Sequence, residues 1–137
     1  MEGLVFGVLI FVFGTLFVAN AWGVIDAKLA ATAAAREAAR TFVEAPSAAA
    51  AWSAAERAGL DAIAAHGRQR ERAKVIPVES TFARCSPAVV EVQYQVPLAA
   101  IPLFGQYGRG LTVTARHSEV VDPYRSGVPG EAECRPR

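Results

Sequence analysis

Three patterns of apolar and polar positions succeed one another along the chain. From Gly3 to Ile25 (GLVFGVLIFVFGTLFVANAWGVI) the apolar run is uninterrupted, with Glu2 before it and Asp26 after it. A helix rises about 1.5 Å per residue, so such a run covers a hydrocarbon core roughly 30 Å thick. It predicts a transmembrane anchor over residues 1–25. An alanine-rich stretch, Ala30 to Ala39, follows, and no proline occurs before Pro46. Alanine is the strongest helix former, so the simplest reading is one long helix continuing through about 26–44, half in lipid and half projecting from it. Arg40 can pair with Glu37 and Glu44 at i,i+3 and i,i+4 spacing where that helix meets water.

Pro46 ends this helix, and Ser47 is placed to cap a second one running to about residue 66, with Gly67 as its stop. Trp52, Ala55, Gly59 and Ile63, flanked by Leu60, recur at helical spacing and predict one apolar face, packed on the sheet that follows. On such a stripe Trp52 reads as core, not as a ligand-stacking ring.

After Lys74 the period changes to two, which predicts strands over about 75–84, 88–97 and 111–121. Pro77 makes the first an edge strand or one that starts late. In the second, Val90, Val92, Tyr94 and Val96 alternate with Glu91, Gln93 and Gln95. One face is buried and the other wet. In the third, Leu111, Val113 and Ala115 alternate with Thr112, Thr114 and Arg116, and the two form an antiparallel pair. Between them runs Pro97-Leu98-Ala99-Ala100-Ile101-Pro102-Leu103-Phe104-Gly105, an apolar connector where hairpin loops are normally polar. Each of Leu98, Ile101, Leu103 and Phe104 would gain about 1.5–3 kcal/mol from burial, so the segment is expected to cover the long helix, the bilayer surface or a neighbouring subunit. The tail 122–137, with its prolines and glycines, is expected to be irregular and mobile. The fold class is α+β: an anchor continuing into a long amphipathic helix, a second helix and a three-stranded antiparallel sheet, with residues 26–137 as one domain.

Composition narrows the functions. With part of its 137 residues in lipid, the chain can build only one modest core. A formal charge of +1 offers no electrostatic reason for a nucleic-acid partner. The one dense basic stretch, Arg68, Arg70, Arg72 and Lys74, includes Glu71 and no aromatic, and reads as a solvated connector without function. No nucleophile, base and orienter assemble, and no glycine pattern for a phosphate or dinucleotide occurs. His66, at a helix end, and His117, on a strand, read as structural. No catalytic residue, metal site, cofactor or small-molecule substrate is expected. Cys85 and Cys134 are the two cysteines. A disulfide between them would pin the tail to the sheet, worth roughly 3–4 kcal/mol; two free thiols are the alternative.

Gly3, Gly7 and Gly14 share one face of the apolar helix and predict close packing against neighbouring helices. The Ala19-Asn20-Ala21 sequence is also a fair signal-cleavage pattern, which would release a soluble domain starting at Trp22. Against cleavage, no positive segment precedes the run within this sequence, and the run continues through Trp22, Val24 and Ile25. Lys28, Arg36 and Arg40 after the span favour a cytoplasmic domain by the positive-inside rule, whereas a disulfide favours the outside.

An apolar span preceded by Glu2, a helix containing Ala34-Ala35-Arg36-Glu37-Ala38-Ala39-Arg40, and a terminal strand pair over Val90–Val96 and Leu111–Ala115 together resemble the TadE family of pilin-like proteins from tight-adherence (Flp-type) pilus systems. The Arg36–Arg40 segment resembles that family's A-R-E-[AG]-A-R element. The resemblance implies a non-catalytic structural or assembly subunit, single-pass in the cell membrane or part of an extracellular fibre. Its C-terminal domain would lie outside the cytoplasm, and its partners would be the membrane and other pilin-like or pilus-assembly subunits. It implies that Glu2 sets the register between subunits. It also implies a basic leader ahead of Met1, which stands where the family has the valine of a V-E step; such a leader would remove the conflict over orientation. Two other readings remain: a secreted binding module cut after Ala21, and a small regulatory membrane subunit facing the cytoplasm with reduced cysteines.

Overall fold

The computed structural model describes residues 2–97, 110–131, 133 and 134. Helix α1, Glu2–Glu44, is a single unbroken helix of 43 residues. At 1.5 Å per residue it is about 64 Å long. Its exposed Arg40 and Glu44 pair at 3.0 Å, one of the two partnerships the spacing allows. Helix α2, Ala48–Ala65, starts after Ser47, whose extended backbone (φ −155°, ψ 157°) marks the N-cap although its side chain makes no capping bond. It stops at His66 and at Gly67, whose φ of 69° lies in the left-handed region that glycine enters without strain.

The buried stripe of α2 is Ala51, Ala55, Gly59 and Ile63, so the expected Ala55, Gly59 and Ile63 are buried, and Ala51 takes the place given to Trp52, which is half-buried at the margin. The partner is corrected as well. α2 lies chiefly against α1 and only secondarily against the sheet. The physical reason is side-chain size. A Cβ placed on Gly59 would sit 3.3 Å from Ala38 Cβ and 3.0 Å from Val75 Cγ2, so glycine opposite alanine brings the two helices into close approach.

The sheet has the order β1-β2-β3 and is antiparallel throughout, formed by Ala73–Ser80, Pro87–Val96 and Leu111–Val120. Strand β1 begins and ends earlier than the sequence pattern suggested. It is the edge strand that Pro77 predicts, and the register slips between Pro77, opposite Val90, and Glu79, opposite Val89. This bulge sets the exposed Val78 out of the pairing. Val90, Val92, Tyr94 and Val96 of β2 are all buried, packed with Ala27, Ala30, Ala31, Ala34, Ala35, Ala38 and Ala39 of α1. On the opposite face Glu91 is less wet than expected, only 7% exposed. Hydrogen bonds from the Gln93 amide and from Arg116 hold its carboxyl below the usual carboxylate range.

Residues 121–131 are irregular, as expected, but they are tied down. Arg84 N–H donates to Pro129 O at 2.8 Å, Cys85 N–H to Val121 O at 3.0 Å, and Val121 N–H to Ser86 O at 3.1 Å. Val121 and Val128 are buried. Arg125 donates to the carbonyls of Val43, Glu44 and Ala45, satisfying the end of α1, and lies over the Phe82 ring at 5.4 Å. Cys85 and Cys134 are joined in a disulfide, with 5.1 Å between their Cα atoms.

Candidate functional site: the apolar helix and the base of the domain

The core covers only the second half of α1. In the first half Leu4, Phe6, Ile10, Phe11, Phe17 and Trp22 are each about two-thirds exposed or more. No residue of its most apolar stretch is buried, and the helix is long and apolar enough to cross a membrane. Water is a poor solvent for a continuous apolar surface of this size. The two polar side chains within it are turned back on the helix: Thr15 Oγ1 donates to Phe11 O at 2.8 Å and Asn20 Nδ2 to Leu16 O at 2.9 Å. This suits a helix in hydrocarbon, where a polar group without a partner is costly. Gly3, Gly7 and Gly14 lie on one helical face, and among the described residues nothing beyond the helix's own backbone comes within 4 Å of where their Cβ atoms would be. Their face is therefore open to a neighbour. The side chain of Glu2 and the connector residues Leu98, Ile101, Leu103 and Phe104 fall outside what the structure describes.

At the end of the apolar run the domain closes onto the helix. Arg68 Nε donates to Asp26 Oδ2 at 3.1 Å, and Arg68 Nη2 to both Asp26 Oδ2 and Gly23 O, the latter at 3.2 Å. Its guanidinium also lies 5.8 Å from the centre of the Tyr94 ring. Hydrogen bonding to Asp26 raises the already high pKa of Arg68. The basic stretch is thus not simply a solvated connector: Arg68, whose side chain is 17% exposed, joins it to the mouth of the span. The legible signal was the near-equal length of α2 and of α1 beyond Asp26. With a short turn between them, that length returns residue 68 to the level of residue 26.

No family model, curated protein or solved structure matches the chain.

The junction joins the domain to the helix through one ion pair and its hydrogen bonds. His117 pairs with Glu119 at 2.9 Å on β3, and among the described residues no three His, Cys, Asp or Glu side chains gather to hold a metal. The arrangement can anchor, orient and pack. Since Asp26 is 44% exposed, the Asp26–Arg68 pair is expected to couple by about 1 kcal/mol. A double-mutant cycle of Asp26→Asn and Arg68→Gln, read by thermal unfolding of the full chain in detergent, measures it. Additive effects would show that the contact does not hold the domain to the helix.

Proposed function

We propose that this chain is a membrane-anchored, non-catalytic structural or assembly subunit of a tight-adherence pilus, similar to the TadE pilin-like proteins. One observation carries the reading: a single unbroken helix is bare and apolar in its first half and forms the spine of an α+β domain in its second. In such a subunit the apolar half crosses the membrane once. Its glycine face, Gly3, Gly7 and Gly14, packs against the helices of other pilin-like subunits, and the domain presents the partner surface. The domain lies outside the cytoplasm, where a disulfide such as Cys85–Cys134 persists.

Two measurements test this. Mass spectrometry of the native N-terminus, on membrane and sheared-surface fractions, is expected to find the apolar helix retained; a terminus at Trp22 would make the protein a secreted soluble module. The two tryptophans give the second test. Trp22 lies in the exposed apolar half, and Trp52 packs at the level of Phe42, about 30 Å further along the helix axis. In proteoliposomes with brominated acyl chains, Trp22 fluorescence (in Trp52→Phe) is expected to be strongly quenched and Trp52 fluorescence (in Trp22→Phe) unaffected. Equal response of both would refute the single-pass arrangement.

A further inference from the structure

The end of the domain that faces the span carries a polar cleft that the proposed function leaves unused. β2 runs back along α1, so that Ala88 and Val90 pack beside Phe42, and Tyr94 and Val96 lie in the cluster that includes Ala27 and Val24. The C-terminal end of β2, the start of β3 and the start of β1 therefore lie together at the foot of the domain. On the outer face of the sheet there, Glu71, Arg72, Lys74, Gln93, Gln95 and Thr112 line a cleft of about 100 Å³. A water molecule needs roughly 10–15 Å³ of such space, so the cleft admits a group several times that size. Its lining supplies a guanidinium, an ammonium, two amides and a hydroxyl, with the Glu71 carboxylate the one opposing charge. Arg72 also donates to Gln69 Oε1 at 2.6 Å, and Gln93 to Glu91 Oε1 at 2.7 Å. The remaining donors suit a phosphodiester.

Depth decides which phosphodiester. Gly3 to Ile25 gives roughly 35 Å of apolar helix for a hydrocarbon core of about 30 Å, so the boundary falls within its last turn or so. Arg68 is bonded to Gly23 O within that turn, so the domain stands directly on the boundary. The headgroup layer is about 5–8 Å deep on each side. Gln93 and Gln95, within three residues of the end of β2, lie at about that height, at 3.3 Å per strand residue.

We propose that this cleft docks the domain on the membrane by receiving the phosphate of an anionic phospholipid, with Arg72 and Lys74 as its cationic contacts. The proposal rests on α1 spanning the membrane. Its consequence is a fixed pose of the domain on the lipid surface, so that the partner-facing side of each subunit points in one direction.

Hydrogen exchange of the full chain in nanodiscs tests it, comparing phosphatidylcholine alone with a mixture containing phosphatidylglycerol. Amides 69–76 are expected to exchange roughly thirtyfold more slowly in the anionic discs, as fits two cations at a charged surface. The difference should vanish in R72Q/K74Q and in high salt, while amides 27–44 exchange unchanged. Equal exchange in both discs, a difference that survives R72Q/K74Q, or the same protection from inorganic phosphate in detergent would overturn the proposal. Amides 3–25 report separately on the span. Protection there in both discs, without any lipid dependence at 69–76, sinks the docking site alone; rapid exchange there sinks the span and the docking together.

Discussion

Changing both Cys85 and Cys134 to serine is expected to destabilise the domain by about 4 kcal/mol. The bridge spans 49 residues, and closing a loop of that size removes about this much conformational free energy from the unfolded chain. In a domain of about 110 residues a loss this large lowers the melting temperature by roughly 15 °C. The bridge also acts locally in the folded state. The bridge ties Cys134 to the turn between β1 and β2, and the segment it closes includes Val121, Val128 and Arg125. Arg125 holds the last carbonyls of α1. Freeing the tail should therefore loosen the far end of α1 while leaving the junction at Asp26 intact. Thermal unfolding of the full chain in detergent, with and without reductant, measures the effect. A change below about 1 kcal/mol would mean that the tail is held without the bridge.

Gly59→Leu is expected to rank next, at about 3 kcal/mol. A Cβ alone would already meet Val75 Cγ2 at 3.0 Å, Ala38 Cβ at 3.3 Å and the Ala34 carbonyl oxygen at 3.6 Å. The rest of a leucine side chain has no room there, so α2 must lift off α1 and β1 together. Gly59→Ala should be close to neutral, because a gain of about 1 kcal/mol in helix propensity opposes the tight contact. The same unfolding experiment separates the two. A leucine variant as stable as the parent would show that the helices do not meet at this point.

The large-scale order of the molecule was legible because its signals are local. An apolar run of membrane length, an alanine stretch without proline, and a strict alternation from Val90 to Val96 each state their structure within a short continuous segment. That Gly3, Gly7 and Gly14 share one face follows from helical spacing in the same way. The stripe on α2 was harder to read because its buried positions are Ala51, Ala55, Gly59 and Ile63. Alanine is equally at home outside and inside, so the eye goes to Trp52, which lies at the margin. The limits of β1 were obscured by Pro77 and by the bulge that follows it.

By itself, then, the amino-acid sequence determined the long apolar N-terminal helix, the second helix and the sheet, since all of these follow from periodicity and residue type along neighbouring positions. The tertiary structure alone decided that α2 lies on α1, that Arg68 reaches Asp26 and Gly23, and that Arg125 satisfies the last carbonyls of α1. It alone brought Arg72 and Lys74 beside Gln93, Gln95 and Thr112. Each of these contacts joins residues far apart in the chain. Their meeting depends on the short turn between the helices, the strand register and the close approach that Gly59 permits, and none of these leaves a periodic trace in the sequence.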